Sequence, residues 1–140
     1  MKKILLIVLV LIVGCAEKPI NIEALNERDD VFYTKDTNEL YTGAVFGLYE
    51  SGEKRGEAYL KDGKFDGKLT EYYENGQISG GGNIKDGEKV GKWTDYYENG
   101  QIEEEGNYKG NWIKDCKWTY YNEDGSIDKV EEYKDGKLAE

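Results

Sequence analysis

The same short pattern of residues returns every 24 positions along most of this chain. Three blocks share it most closely, at residues 66–78, 90–102 and 116–127, and a weaker copy covers residues 43–52. The tyrosines that recur at this interval are Tyr49, Tyr73, Tyr97 and Tyr121. A repeat of this length is typically one supersecondary unit that buries its apolar face against its neighbours. The sequence therefore predicts a stacked array.

The turns within each unit predict its secondary structure. Asn75-Gly76, Asn99-Gly100 and Asp124-Gly125 are typical of two-residue hairpin loops, because both central positions of such loops need a positive φ. Asp-Gly pairs at residues 62, 86 and 135 mark the opposite ends of the units. The segments between them are rich in Tyr, Trp, Thr and Ile. We predict an all-β fold, an elongated single-layer antiparallel meander of about four 24-residue β-hairpin repeats over residues 43–140.

A column of small residues is predicted to support the packing of these hairpins. Ala58, Gly82 and Gly106 occupy equivalent positions in successive units. A small residue at such a position leaves room for a neighbouring aromatic ring to lie across the strand. Consecutive hairpins would then stack their Trp, Tyr and Ile side chains into one continuous apolar ladder.

The fourth unit departs from the pattern at two places. Trp118 and Tyr121 are three residues apart, whereas Trp93 and Tyr97 are four apart, which predicts a bulge or an altered turn at residues 122–125. Cys116 stands where the other units have glycine. It is interpreted either as a half-buried structural cysteine or as half of an intermolecular disulfide.

The region before the repeats divides into a leader, a tether and a cap. Residues 1–14 have a basic start, ten apolar residues at 4–13 and small residues before Cys15. This resembles the lipobox of bacterial lipoproteins, which implies lipid attachment to Cys15 and localisation in the bacterial cell envelope. Because Ala16 follows, the expected place is the outer membrane if the cell is Gram-negative, and otherwise the outer face of the cell membrane. Residues 15–21 are predicted to be a tether. Residues 22–42 are predicted to form a cap, with about two helical turns at 22–28 and a hairpin joining 31–35 to 40–42.

The repeat itself resembles a known family. The stretch Gly-Lys-Trp-Thr-Asp-Tyr-Tyr-Glu-Asn-Gly-Gln at residues 91–101, with Gly-Asn-Tyr-Lys at 106–109, is similar to the bacterial variant of the MORN repeat. Arrays of this kind resemble the YwqK-type family, which is described as an antitoxin component of toxin–antitoxin modules. The resemblance covers about residues 22–138. It implies a non-catalytic, protein-binding role.

Composition excludes several classes of function. The 140 residues include no His, which removes the commonest general base and metal ligand. Two cysteines are too few for a four-thiolate zinc site, and no calcium-loop pattern occurs. The formal net charge is −10, and cleavage before Cys15 would remove two lysines and make it −12. Such a charge disfavours nucleic acid and anionic lipid headgroups. We therefore expect no enzyme, no cofactor, no metal and no nucleic acid partner.

Aromatic side chains are the remaining candidates for a binding surface. The residues proposed for it are Tyr73, Trp93, Tyr97, Trp118 and Tyr121. Two interpretations stay open for each ring, which are packing in the core and exposure as a hot spot for a protein partner. A toxin-like or envelope protein is the first candidate partner, and a cell-wall glycan is the alternative ligand. An open sheet edge near the C-terminus could also pair with a second copy.

Overall fold

The computed structural model describes residues 17–139 and confirms the predicted all-β meander of antiparallel hairpins. The leader and Cys15 lie outside the described residues. The thirteen strands are β1 (Ile20–Asn21), β2 (Leu25–Arg28), β3 (Val31–Thr34), β4 (Gly43–Leu48), β5 (Lys54–Lys61), β6 (Lys64–Phe65), β7 (Gly67–Tyr72), β8 (Ile78–Lys85), β9 (Glu88–Tyr96), β10 (Ile102–Tyr108), β11 (Lys114–Tyr121), β12 (Ile127–Lys134) and β13 (Lys137–Leu138).

One long sheet contains eleven of these strands. Its order is β1-β4-β5-β7-β8-β9-β10-β11-β12-β13, and the short strand β6 also pairs with β5. From β4 onward every pairing is antiparallel, and each joins strands that follow one another in the sequence except the pairing of β5 with β7, between which β6 lies. Only β1 runs parallel to its neighbour, β4. The strands β2 and β3 form a separate two-stranded sheet.

The two long edges of the sheet use different turns. Asp62, Asp86 and Asp135 have positive φ, as do the glycines that follow them, as a two-residue type I′ loop requires. At the other edge Gly76 has a positive φ and Asn75 does not, so the prediction of a two-residue loop there was wrong. The Gly76 amide donates to the Tyr73 carbonyl, and the Tyr73 amide donates to the Gln77 carbonyl. This is a three-residue loop with a glycine bulge, which the Asn75 side chain supports by accepting from the Gln77 amide.

A row of tyrosine hydroxyls ties each unit to the next at this second edge. Tyr49 donates to the carbonyl of Tyr72, Tyr73 to that of Tyr96, and Tyr97 to that of Tyr121, over 2.5 to 2.7 Å. We call Tyr49, Tyr73 and Tyr97 the tyrosine seam. Each bond joins one hairpin to the hairpin that follows it, so the repeat interval of these tyrosines has a structural cause.

The fourth unit is offset by 25 residues, which corrects the predicted frame. Asn122 makes the two turn hydrogen bonds that Tyr97 makes in the third unit, so Tyr121 is not the fourth member of the seam. Asp95 and Tyr120 both pair with Glu104, from opposite sides. The additional residue lies earlier, in the turn at residues 109–113, and the turn at 122–126 is regular. The sequence pattern predicts the additional residue at 122–125, which is after its true position, because either of the adjacent residues Tyr120 and Tyr121 can be aligned with the tyrosine of the other units.

The predicted ladder is visible on one face of the long sheet. Trp93 lies across Gly82 and Trp118 lies across Gly106, so closely that a Cβ on either glycine would overlap the indole ring. The two indoles are 1% and 0% exposed. We call this side of the sheet the tryptophan face. The small-residue column therefore exists because the rings need the space above it.

The N-terminal region differs from the prediction at residues 22–28, where no α-helix forms. Only residues 22–24 form a 3₁₀ turn, and residues 25–28 are strand β2. Asp29 and Asp30 both have positive φ and connect β2 to β3 as a two-residue turn. This arrangement buries Leu25 and Phe32 against Val45 and Leu60, which an exposed helix would not do. The predicted hairpin between 31–35 and 40–42 is present as a short antiparallel pairing: Tyr33 bridges Leu40, the Thr34 amide donates to the Glu39 carbonyl, and the Tyr41 amide donates to the Phe32 carbonyl.

Candidate functional site

An open groove of about 430 Å³ lies on the tryptophan face beside the N-terminal sheet. Its floor is formed by Gly47, Gly56 and Ala58, which belong to the neighbouring strands β4 and β5. Apolar side chains line its sides, and Arg55 and Glu71 are among its charged residues. The apolar lining residues include Ile22, Val45, Phe65, Leu69, Ile84 and Trp112. A concave apolar surface with a few polar groups is the usual form of a binding site.

The glycines of the floor differ from the other glycines on this face. Rings cover Gly82 and Gly106, and the Asp95 carboxylate covers Gly80. Over Gly56, by contrast, only backbone atoms of the next strand come within 4 Å of a Cβ position. Over Gly47 the only neighbour is the Arg55 side chain, 3.4 Å from that position. The floor is therefore the uncovered part of the glycine rows on this face.

Trp112 forms one wall of the groove and was not predicted from the sequence. It lies in the turn that holds the additional residue, and its side chain is 59% exposed. Both Asn111 and Trp112 have positive φ, at 47° and 57°. A bulky residue in this conformation is strained, and such strain is concentrated at functional sites. One feature of the sequence indicates that this turn is different: residues 110–113 stand where the other units have a simple Asp-Gly turn.

Two lysines lie against the aromatic rings next to this wall. The Lys89 Nζ is 3.6 Å from the ring centre of Trp93 and 4.6 Å from that of Trp112. The equivalent lysine of the next unit, Lys114, is 3.9 Å from the ring centre of Trp118. Cations over indole faces are attracted by the ring quadrupole. These contacts fix the rings and cover the buried indoles from the solvent side.

Charges on the tryptophan face are partly removed from water. Burial lowers the pKa of Lys89, against the opposing effect of carboxylates that include Asp95 and Glu71. Burial raises the pKa of Asp95, whose Oδ1 accepts a 2.9 Å hydrogen bond from the Trp93 Nε1. Glu104 forms an ion pair with Lys114 at 3.2 Å. The charged side chains at the centre of this face therefore have partners, since Glu104 pairs with Lys114 and Asp95 accepts from Trp93. The groove beside them is lined mainly by apolar side chains.

The five proposed binding residues do not form one surface. Trp93 and Trp118 are buried, so of the two interpretations left open for the indoles their burial supports core packing. Tyr73 and Tyr97 belong to the tyrosine seam, and their hydroxyls are used by backbone carbonyls. The Tyr121 hydroxyl donates to the Glu105 carboxylate, whose other oxygen pairs with Lys92.

Cys116 is exposed, which corrects the interpretation of it as half-buried. It has a φ of 60°, close to the 67° of Gly91 at the equivalent position, so it does replace the repeat glycine. A hydrogen bond from its thiol to the Asp115 carboxylate raises the thiol pKa. This lowers the fraction of thiolate, the reactive form.

Other classes of site have no support within residues 17–139. No group of three or more Cys, Asp or Glu residues in this part of the chain is arranged to hold a metal ion. Among the same residues, no helix is long and apolar enough to cross a membrane.

The comparison with known families agrees with this architecture. Two segments match the family model described as MORN repeat variant, at residues 65–85 and 89–109. These segments are MORN-type repeats. No curated protein and no solved structure matches the chain. The units before and after the matched segments share the same antiparallel hairpin pairing.

Proposed function

We propose that this protein is a non-catalytic protein-binding module and that a partner docks in the groove beside Trp112. The observation that carries this proposal is an exposed indole, held in a strained turn, next to an apolar groove with an uncovered floor. Trp is enriched among the few residues that supply most of the binding energy of protein interfaces. The binding residue is thus Trp112 rather than the buried indoles of the repeat.

The test is capture of a partner with matched variants of the full-length protein. We expect Trp112→Ala to reduce capture at least tenfold, because truncation of a hot-spot Trp typically costs about 2 kcal/mol or more, and tenfold corresponds to about 1.4 kcal/mol. Tyr59→Ala is the control, since Tyr59 is also exposed but does not line the groove. Equal capture by the wild type and the Trp112 variant would refute the proposal. Binding of peptidoglycan or glycan arrays by the wild type, lost in the same variant, would support the alternative of a glycan ligand instead.

We also propose that the protein is lipid-anchored in the bacterial cell envelope through Cys15. Support comes from the basic start, the apolar run at 4–13 and the small residues before the cysteine. Several acyl chains on one cysteine would hold an acidic protein that anionic lipid does not attract. Metabolic labelling with radioactive palmitate should label the wild type and not Cys15→Ala. Labelling of that variant would contradict the assignment.

The sharpest version of the role is antitoxin-like or immunity-like, as similarity to the YwqK-type family suggests. Support comes from the MORN-type repeats and from a surface suited to protein contact. If a toxin-like gene adjoins this one, co-expression should restore growth with the wild type and fail with Trp112→Ala. If the wild type and Trp112→Ala restored growth equally, the antitoxin-like role would not depend on the groove.

Self-pairing through the last long strand is disfavoured by charge. In β12 the position that continues the small-residue column is occupied by Glu131, which pairs with Trp118 on β11. Glu131 also forms an ion pair with Lys129 of the same strand. Charged residues that point inward on an edge strand oppose the addition of another strand. We therefore expect a monomer by light scattering across concentrations, and a dimer that persists on dilution would contradict this expectation.

A further inference from the structure

We propose that the groove takes an aromatic side chain from the partner, carried by a segment with a neighbouring basic residue. This inference rests on the proposed function and adds the chemistry of the docking segment. It starts from the floor formed by Gly47 and Gly56, a cross-strand pair on β4 and β5. No side chain comes within 4 Å of a Cβ position on Gly56.

The tryptophan face itself shows what such a floor accepts. Gly82 and Gly106 each lie beneath an indole ring that is almost completely buried. In the unit that contains the groove, the position of these tryptophans is held by Leu69, and the residue beneath is Ala58. A leucine covers less of the sheet than an indole. The uncovered floor is therefore the place on this face where a flat ring from outside can make the contact that Trp93 and Trp118 make elsewhere.

Backbone conformation does not explain why the floor residues are glycine. Neither Gly47 nor Gly56 has a positive φ, unlike the turn glycines. Glycine in a strand weakens it and often marks a site where another group approaches the backbone closely. Gly56 is also favoured by close packing, because a Cβ there would lie 3.2 Å from the Thr70 carbonyl oxygen. Gly47 has no such backbone neighbour within 4 Å, so its lack of a side chain favours a binding role.

Two charged side chains beside the floor, Arg55 and Glu71, favour particular residues next to the aromatic side chain of the docked segment. The Arg55 side chain lies over Gly47, and Glu71 lies on the other side of the floor, opposite Gly56. Both are exposed, and neither forms a salt bridge with another residue in the described range. Glu71 is complementary to a Lys or Arg of the partner, as is the net charge of −10. Arg55 can donate to a backbone carbonyl of the docked segment.

A groove-filling variant tests this without loss of the fold. A Cβ on Gly47 would meet only the flexible Arg55 side chain, so Gly47→Val fits the strand and should not destabilise it. The valine side chain would occupy the floor. Asn83→Val is the matched control, because Asn83 is an exposed strand residue that does not line the groove.

The probes are three capped peptides, acetyl-Lys-Trp-Lys-amide, acetyl-Lys-Leu-Lys-amide and acetyl-Glu-Trp-Glu-amide. Binding is measured by calorimetry with the full-length protein in lipid nanodiscs. We expect the first peptide to bind at least tenfold more tightly than the other two, Gly47→Val to lose this binding at least tenfold, and Asn83→Val to retain it. Equal binding of the Trp and Leu peptides, or unchanged binding by Gly47→Val, would overturn the inference.

Partner capture then separates failure of this inference from failure of the proposed function. If Trp112→Ala loses the partner and Gly47→Val keeps it, docking at Trp112 stands and the aromatic side-chain site is wrong. If neither substitution affects capture, the proposed function fails as well. Loss of capture in both variants, with all variants folded by circular dichroism, supports both.

Discussion

Replacement of Cys116 by glycine should stabilise this protein, although it removes a side chain. Cys116 has a φ of 60°, and the equivalent position of the preceding unit is Gly91 with a φ of 67°. An L-residue in the left-handed region brings its Cβ close to the following carbonyl oxygen, which costs about 1–2 kcal/mol. Glycine has no Cβ, so Cys116→Gly removes this strain.

The expected size follows from two opposing effects. Relief of strain contributes about 1–2 kcal/mol, and the greater freedom of glycine in the unfolded chain subtracts about 0.4–1 kcal/mol. The substitution also removes the hydrogen bond from the thiol to Asp115, which is 3.5 Å long and exposed, so its removal costs little. The net gain in the free energy of unfolding lies between about 0 and about 1.6 kcal/mol, and its central value of about 0.8 kcal/mol corresponds to a rise in Tm of roughly 2–5 °C.

Urea unfolding followed by Trp fluorescence measures this change. Cys116→Ala is the control, because it removes the thiol but keeps the Cβ and should leave stability within about 0.5 kcal/mol of the wild type. Gly91→Ala is the reverse experiment, because it adds a Cβ at the equivalent position of the preceding unit. Apart from the adjoining residues, no atom lies within 4 Å of a Cβ at Gly91, so its expected loss of about 1 kcal/mol is purely conformational. If Cys116→Gly and Cys116→Ala were equally stable, the strain argument would be refuted.

Three further substitutions test the sheet. Gly106→Ala should cost about 1–3 kcal/mol in urea unfolding, because its Cβ would displace the buried indole of Trp118. Tyr97→Phe should cost about 1 kcal/mol by removing the hydrogen bond to the Tyr121 carbonyl while leaving partner capture unchanged; lost capture at full stability would instead make Tyr97 a binding residue. Burial raises the folded-state pKa of Asp95 above its ordinary value of 3.8, so the wild type loses stability as the pH rises from that value to the folded-state pKa, and the loss is constant above it. Asp95→Asn should therefore gain stability relative to the wild type across that range, and a pH-independent difference would contradict this.

The meander was predictable because its determinants are local and repeated. Tyr, Trp and Ile in short runs between glycine turns specify strands, and the 24-residue interval specifies hairpins that stack. The turn type at Asn75-Gly76 was not predictable from the dipeptide, since an Asn side chain that accepts from the Gln77 amide favours a three-residue loop. The predicted helix at 22–28 failed because burial of Leu25 against the sheet outweighs local preference.

The site was less predictable than the fold. Trp93 and Trp118 were predicted as candidate binding residues because they repeat, but the repeated side chains are those that are buried between the units and hold them together. Trp112 occurs once, in a turn whose extra residue is hidden by the ambiguous alignment at Tyr120 and Tyr121. The groove depends on the absence of a ring over Gly56, and a missing ring leaves no pattern in a single sequence.

The tyrosine seam makes the two long edges of the sheet unequal in their tolerance of sequence change. At the seam edge, the distance between one hydroxyl and the next carbonyl must be kept, so the chain can lengthen there only by whole hairpins. At the opposite edge, the turn at 109–113 has absorbed one residue without disturbing the pairing of β11 with β12. New side chains can therefore be inserted along that edge at little risk to folding. Trp112, the wall of the groove, lies in such an insertion, so the edge that is free to vary is also the one that can acquire new partners.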